Sequence, residues 1–324
     1  MRERILHVAL RTDFEKQLGL DKALRAASSD YRDVDWQKAG NAAEAALCAA
    51  SEIRPTLVFM QLQCGGVLEP RDIAALRPAC DPQVIIVNWD GDQHHEPEDE
   101  ARRWFVELGR ACDASFVTNR NHPYTYKEMG VRNAGYLQIG YDHEIYRPVE
   151  PWPDVPPVVF LGSRYPSHQR RNDVIEHVAA QLGSRFAAYG NGWPAAYGRP
   201  MLKQHEEPHV YTAAKAAISM SIRKDLTCYT SDRLFRIMGS GGVALVEWFP
   251  GMLFLGVTHE TSIAWSGPEL LVNAIRLALG EDTSKIRTAA AETARYQHAW
   301  DVRVDELLAK TREIRAANIS PGRR

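Results

Sequence analysis

"YTSDRLFRIMGSGGVALVE", residues 229–247, compresses a helix start, an apolar helical stripe, a glycine exit and a strand into one run. Thr230 and Ser231 carry hydroxyls of the kind that cap helices by accepting otherwise free backbone N–H groups. Leu234, Phe235, Ile237 and Met238 follow at the spacing of one buried helical face. Gly241 and Gly242 let the chain turn sharply. "GVALVE" (242–247) then has the short, continuous apolar character of a strand covered on both faces. A helix running straight into a buried strand is the repeating unit of a parallel α/β sheet. The same helix start offers N–H groups and a partial positive charge to a phosphate or diphosphate, with Arg233 in the first turn as an added cation. A capped core helix without any ligand accounts for these residues as well.

Outward from this run the alternation repeats. The first half offers strands at 4–11, 56–62, 83–89, 114–119 and 134–140, with helical patterns around 14–27, 39–52, 69–77, 98–111 and 122–129. A proline-rich stretch, "YRPVEPWPDVPP" (146–157), reads as a linker, because proline fixes φ and removes donors. The second series has strands at 158–163, 186–190, 216–222, 242–247 and 261–265, and helices at 169–182, 267–279 and 284–316. The expected fold class is α/β: two Rossmann-like parallel-sheet domains, 1–150 and 151–300, facing across a cleft. Residues 301–324 would form a C-terminal helix packing back on the first domain, and a loose tail. Ligands of such sheets collect in loops after the strands' C-terminal ends. Those loops are "QCGGV" (63–67), "WDGDQHH" (89–95), "GSRYPSHQRR" (162–171), "YGNGW" (189–193) and "IRKDLTCYTSDR" (222–233).

Bulk composition sets the class. The 324 residues are 45% hydrophobic and 25% charged, an ordinary globular balance. A net charge of −2 argues against nonspecific nucleic-acid binding through overall charge. Cys48, Cys64, Cys80, Cys112 and Cys228 are scattered, with no C-x-x-C pair, which fits free thiols in a reducing cytoplasm. No apolar run is long enough to span a bilayer, and "MRERILHVAL" enters a strand without a secretory signal, so a cytoplasmic protein is expected.

"SDRLFRIMGSGGVALVE", with "WFPGM", "PELLVNAIRLAL" and "YQHAWDVRVDELL" after it, resembles the C-terminal half of CgeB-like glycosyltransferases of the two-domain GT-B architecture. "VVFLGSRYPSHQRR", "AAYGNGW" and "GYDHEIYRP" (140–148) resemble further family segments in the same order. The resemblance is specific over 134–310, looser over 54–120 and absent from the first 50 residues. It implies a glycosyltransferase moving a sugar from a nucleotide diphosphate donor, a UDP-sugar above all, to a hydroxyl acceptor. The second domain would be the donor domain and the first the acceptor domain. Ser231 and Arg233 would then meet the diphosphate, together with Gly162, Arg164, Tyr229 and Thr230. Tyr189, Gly190 and Trp193 would lie near the base. One departure stands out. Arg236 occupies a position where many relatives place a ribose-binding Glu, and Arg has no acceptor. Either the ribose is held elsewhere, with Glu247 and Asp232 as candidates, or Arg236 points away.

Inverting transfer needs a base for the acceptor hydroxyl's proton. Asp90 and Asp92 are the leading candidates, followed by His94 and His95; a retaining reaction needs no strong base. An Asx-Gly turn that satisfies its own backbone explains the same aspartates. Gly65, Gly66 and His95 are candidates for acceptor contacts. The Asp-x-Asp spacing admits a divalent metal, but none is expected, because proteins of this architecture stabilise the leaving diphosphate with helix dipoles and cations. No cofactor beyond the nucleotide sugar is implied. Arg170 and Arg171 read as charges decorating a helix start, and His298 as a packing residue. The acceptor stays open among polysaccharide, protein, metabolite and modified DNA. A viral transferase acting on hydroxymethylated DNA bases is one alternative. An inactive nucleotide-sugar-binding protein, suggested by Arg236, is another.

Overall fold

The computed structural model describes residues 2–10, 18–91 and 95–319. The chain divides into two compact units, Met1–Ile139 with Trp300–Arg324, and Gly140–Ala299.

The first unit is built on six parallel strands: β1 (Glu3–Ala9), β2 (Ser28–Asp35), β3 (Leu57–Met60), β4 (Ile85–Asp90), β5 (Ala114–Val117) and β6 (Ala134–Tyr136). Their order is β2-β1-β3-β4-β5-β6. β3, β4 and β5 are buried at every position, which is why they read as continuous apolar runs. The edge strand β2, "SSDYRDVD", escapes that pattern because only Ser28, Tyr31 and Val34 turn inward. Helices α1 (Leu18–Ala27), α2 (Ala42–Ile53), α3 (Pro70–Leu76), α4 (Arg103–Ala111) and α5 (His122–Glu128) connect the strands. Local chemistry sets their ends. Asn41 caps α2 by accepting the Glu44 N–H, and Glu69 with Asp72 forms a capping box ahead of Pro70 at the start of α3.

The second unit has β7 (Val158–Leu161), β8 (Phe186–Tyr189), β9 (Gly198–Arg199), β10 (Ala216–Ser219), β11 (Ala244–Glu247) and β12 (Ile263–Trp265). They lie in the order β12-β11-β10-β7-β8-β9, again all parallel. The chain therefore builds outward one way from β7 and the other way from β10, so the topological switch point lies between those two strands. Helices α6 (Gln169–Leu182) and α9 (Pro268–Gly280) cover one core, with Val174, Ile175, Val178, Leu271 and Ile275 against Phe160, Ile218 and Leu245. Helices α7 (Glu207–Ala213), α8 (Arg233–Gly239) and α10 (Ser284–His298) complete the unit.

The boundary falls after Ile139 rather than at 150, and side chains explain why. The Tyr141 N–H donates to the His298 carbonyl at 3.1 Å. Gly239 sits so close to the Tyr141 ring that a Cβ there would be 2.3 Å from Cε2. Tyr146 is buried and its hydroxyl donates to Glu207 at 2.7 Å, while Trp152 stacks on His209 at 5.5 Å. The start of the proline-rich stretch is thus fixed to the second unit. Ala299 is extended and divides the helical stretch expected over 284–316 in two, next to the expected boundary at 300. The second piece, α11 (Trp300–Ile319), packs on the first unit. There Trp300 meets Trp89 edge-on at 5.8 Å, and Arg315 grips Glu3 through bonds of 2.8 and 3.1 Å.

Candidate functional site

The C-terminal ends of β7 and β10 concentrate cations. Arg233, the first residue of α8, reaches back over the sheet edge, donating to the carbonyls of Leu161 and Met220. Its guanidinium carbon lies 4.7 Å from the Phe160 ring centre. Arg171, in the first turn of α6, donates to the Ser163 carbonyl at 2.9 Å and lies 5.9 Å from that same centre. Arg171 is buried, and its Nε has no hydrogen-bond partner among the described residues. Neither Arg171 nor Arg233 has a carboxylate partner among the described residues. Burial, followed by repulsion from Arg233 and Arg170, pulls the Arg171 pKa down to about 10. Two uncompensated guanidinium groups at one strand end form a site that favours an anion.

Glycine makes room for that arrangement. Gly162 has φ +154, and a Cβ there would stand 2.7 Å from Arg233 Nη2. At Gly190 a Cβ would collide with the Gly162 backbone at 2.5 Å. The loops after β7 and β8 are consequently zipped together: the Gly162 and Arg164 amides donate to the Tyr189 and Asn191 carbonyls, each at 2.8 Å. Ser231 stands beside them, its N–H donating to Ser221 Oγ at 3.2 Å and its own Oγ accepting the Arg233 N–H at 3.3 Å. Asp232, not Thr230 or Ser231, occupies the cap position of α8. Tyr229 and Thr230 are buried behind it, following Cys228 in the left-handed region at φ 62. Tyr189 is half-buried, and burial pushes its phenol up.

Several expected site residues serve the framework instead. Trp193 is buried edge-on to Phe160, and its indole N–H donates to the Gly162 carbonyl at 2.7 Å, so it holds the loop. Arg164 turns to Glu176 at 3.0 Å. Arg236 points inward. It pairs with Asp232 at 2.5 Å and Glu207 at 3.4 Å, and lies 5.1 Å from the Tyr146 ring centre. This answers the sequence question about Arg236, and it also commits Asp232. Glu247, at the end of β11, gives one oxygen to Arg170 and stands 3.8 Å from Lys224. His298 stacks on Phe235 at 3.8 Å and bonds the Leu255 carbonyl, a packing role within the second unit.

In the first unit Asp90 changes role. It is fully buried and ion-paired to Arg102, whose guanidinium lies 4.9 Å from the Phe105 ring centre. A carboxylate so enclosed braces the end of β4 and is poorly placed to take a substrate proton. Asp92 and His94 lie outside the described residues. His95 is exposed, 3.7 Å from Asp99. Gly65 is exposed over Trp104, and Gly66 uses φ +81 to turn the chain. A pair the sequence did not single out is buried His122, whose Nε2 is 3.2 Å from Glu96. The clue was available, since His122 starts the helix after β5, at the strand end where ligands gather. Among the described residues no group of three His, Cys, Asp or Glu side chains is placed to hold a metal ion. Also among them, no helix is long and apolar enough to cross a membrane.

Comparisons with known proteins converge on this fold. Residues 170–309 match the family model described as glycosyl transferase-like. Sucrose-phosphate synthase from Thermosynechococcus elongatus superposes with a TM-score of 0.69 at 14% identity, over 98% of this chain and 100% of that one. Anabaena HepE, solved with UDP and glucose, gives 0.64 at 14% identity, over 95% and 99%. AviGT4, a glycosyltransferase of avilamycin A biosynthesis, gives 0.64 at 12% identity, over 97% and 98%. None of the curated proteins matches the chain in sequence. The fold of the whole chain is the GT-B architecture of these glycosyltransferases, and residues 170–309 carry the glycosyl transferase-like match. That matched segment carries Arg170, Arg171 and Arg233.

Proposed function

We propose that the second unit binds a nucleoside diphosphate sugar, UDP-linked by preference, and that the protein transfers the sugar to a hydroxyl acceptor. One observation carries this: Arg171 and Arg233 converge without carboxylate partners beside Gly162, at the switch point between β7 and β10. A diphosphate there relieves their mutual repulsion and accepts their remaining N–H groups. As the leaving group it also gains the negative charge that such fixed cations stabilise. Anabaena HepE, of similar fold, was solved with UDP and with UDP-glucose, which supports uridine as the nucleoside.

Titration calorimetry with UDP, GDP, ADP and dTDP, followed by a mass-spectrometric screen of nucleotide sugars, tests the proposal. Saturable UDP binding with turnover of a UDP-sugar is expected. Failure of every diphosphate to bind would overturn it.

A further inference from the structure

The connection that follows β11, "WFPGMLFLG" (248–256), leaves the sheet one strand away from β10. Its large side chains divide into two sets. Phe249, Met252 and Leu255 are buried and anchor it, whereas Trp248, Leu253 and Phe254 stand 53%, 71% and 69% exposed. The backbone between them is fixed. The Trp248 N–H donates to the Trp265 carbonyl at 2.8 Å, and the Cys228 N–H to the Pro250 carbonyl at 2.7 Å. His298 Nε2 donates to the Leu255 carbonyl at 2.9 Å. Gly251, at φ +80, packs so tightly that a Cβ there would stand 2.6 Å from Cys228 Sγ, and a 3₁₀ turn, Met252–Leu255, follows it. A backbone held this way, with three large apolar side chains kept in water, has the character of a binding surface.

Position and chemistry restrict the occupant. Arg233 donates to the Met220 carbonyl, Arg170 to the Ser221 carbonyl and to Glu247, and Trp248 comes next in the chain. The apolar surface is therefore joined to the Arg171–Arg233 anion site by consecutive contacts across the ends of β10 and β11. The second molecule that a bound sugar donor has to meet is the acceptor. Within 248–256 the only side-chain N–H or O–H donor is the Trp248 indole, and no side chain carries an oxygen or a charge. Sugar hydroxyls laid on this surface would lose water without finding partners, and nucleic-acid phosphates would meet no cation on it. An alkyl or aryl group gains by the same burial. We propose that the acceptor carries its hydroxyl on an apolar body, and that this body lies on Trp248, Leu253 and Phe254. The proposal rests on the nucleotide-sugar reading above and selects among its acceptors. In the transfer, the acceptor oxygen bonds the anomeric carbon while the bond from that carbon to the diphosphate oxygen breaks. The diphosphate leaves with the electron pair, and the hydroxyl proton is released.

Saturation-transfer NMR on the full chain tests this with n-octyl β-D-glucopyranoside, kept below its micelle concentration, against methyl β-D-glucopyranoside. The two share a sugar and differ only in the apolar body. Saturable binding of the octyl glycoside alone is expected, and with a UDP-sugar that turns over, the octyl glycoside alone should accept the sugar. Trp248→Ser combined with Leu253→Ser should weaken octyl binding by about tenfold or more and leave UDP affinity unchanged. Both side chains are exposed, so melting curves should stay near wild type. Leu270→Ser combined with Leu277→Ser removes two half-exposed leucines of α9 and should leave octyl binding unchanged. Equal binding of the methyl glycoside, unchanged octyl affinity in the Trp248–Leu253 variant, or an equal loss in the α9 variant would overturn the proposal. A dimer, or binding to phosphatidylglycerol vesicles, that the Trp248–Leu253 variant abolishes would assign the surface to a second copy or a membrane and overturn it too. UDP binding without octyl binding overturns this proposal alone, and octyl binding without UDP binding overturns the nucleotide reading alone.

Discussion

Arg171→Met isolates the electrostatic argument, because methionine keeps much of the side-chain length and removes the charge. Distances of 4.7 and 5.9 Å from one Phe160 centroid keep the guanidinium carbons of Arg233 and Arg171 within 10.6 Å of each other. At an effective dielectric of about 20, two like charges at that limit repel by about 1.6 kcal/mol, and solvent around half-buried Arg233 reduces this to about 1. The substitution also loses the bond to the Ser163 carbonyl, worth about 1 kcal/mol. The two effects offset, so stability should change by no more than about 1 kcal/mol. Diphosphate binding should respond differently. A charge-assisted contact is worth about 1.5–3 kcal/mol, which converts to a loss of about 10- to 150-fold in UDP affinity. Urea denaturation and calorimetric UDP titration on the same preparation measure both quantities. Unchanged UDP affinity would remove Arg171 from the diphosphate site, and so would a stability loss of several kcal/mol with affinity falling only in proportion to unfolding.

Asp90→Ala should cost about 3–5 kcal/mol in urea denaturation by stranding buried Arg102, whereas Asp90→Leu combined with Arg102→Met should recover most of that loss. Arg236→Glu, the residue type that the family resemblance leads one to expect there, should destabilise by about 3–5 kcal/mol and not tighten UDP binding, because it gathers three carboxylates at Asp232 and Glu207. Calorimetry and melting together check this. Burial alone would raise the Glu3 pKa, but hydrogen bonds from Arg315 and Thr56 bring it below its ordinary value. Its folded pKa being the lower one, Glu3 stabilises above the unfolded pKa of about 4.3, and that contribution fades as pH falls through the folded value. Arg315→Met should therefore lower stability by about 2–3 kcal/mol at pH 7, and the gap from wild type should shrink below about pH 4 in a melting series.

Strands buried on both faces announced themselves by apolar runs, and helices by period and caps, so the doubly wound plan of both units was legible. Edge strand β2 was not, since three inward residues among charged ones look like a loop. The break at Ala299 lies beside the expected boundary at 300, and the contact of Tyr141 with the end of α10 fixes its place. The placement of Arg233, Ser231 and Gly162 at the strand ends of the second unit was legible from strand–loop–helix position. Arg171 was misjudged because sequence shows charge but not burial, and a charged pair at a helix start is usually solvated. Asp90 was misjudged for the complementary reason. Its partner Arg102 lies on the far side of the 89–95 loop, and only the fold reveals that the two neutralise each other. Trp193, expected near the base, turns its indole N–H to the Gly162 carbonyl, a contact that sequence does not show.

On the proposed function, a nucleoside diphosphate sits over Gly162 between Arg171 and Arg233. A crystal structure of the chain grown with UDP tests it directly. Diphosphate density is expected within hydrogen-bond distance of both guanidinium groups, at the C-terminal ends of β7 and β10. UDP bound elsewhere, with Arg171 and Arg233 untouched, would contradict it.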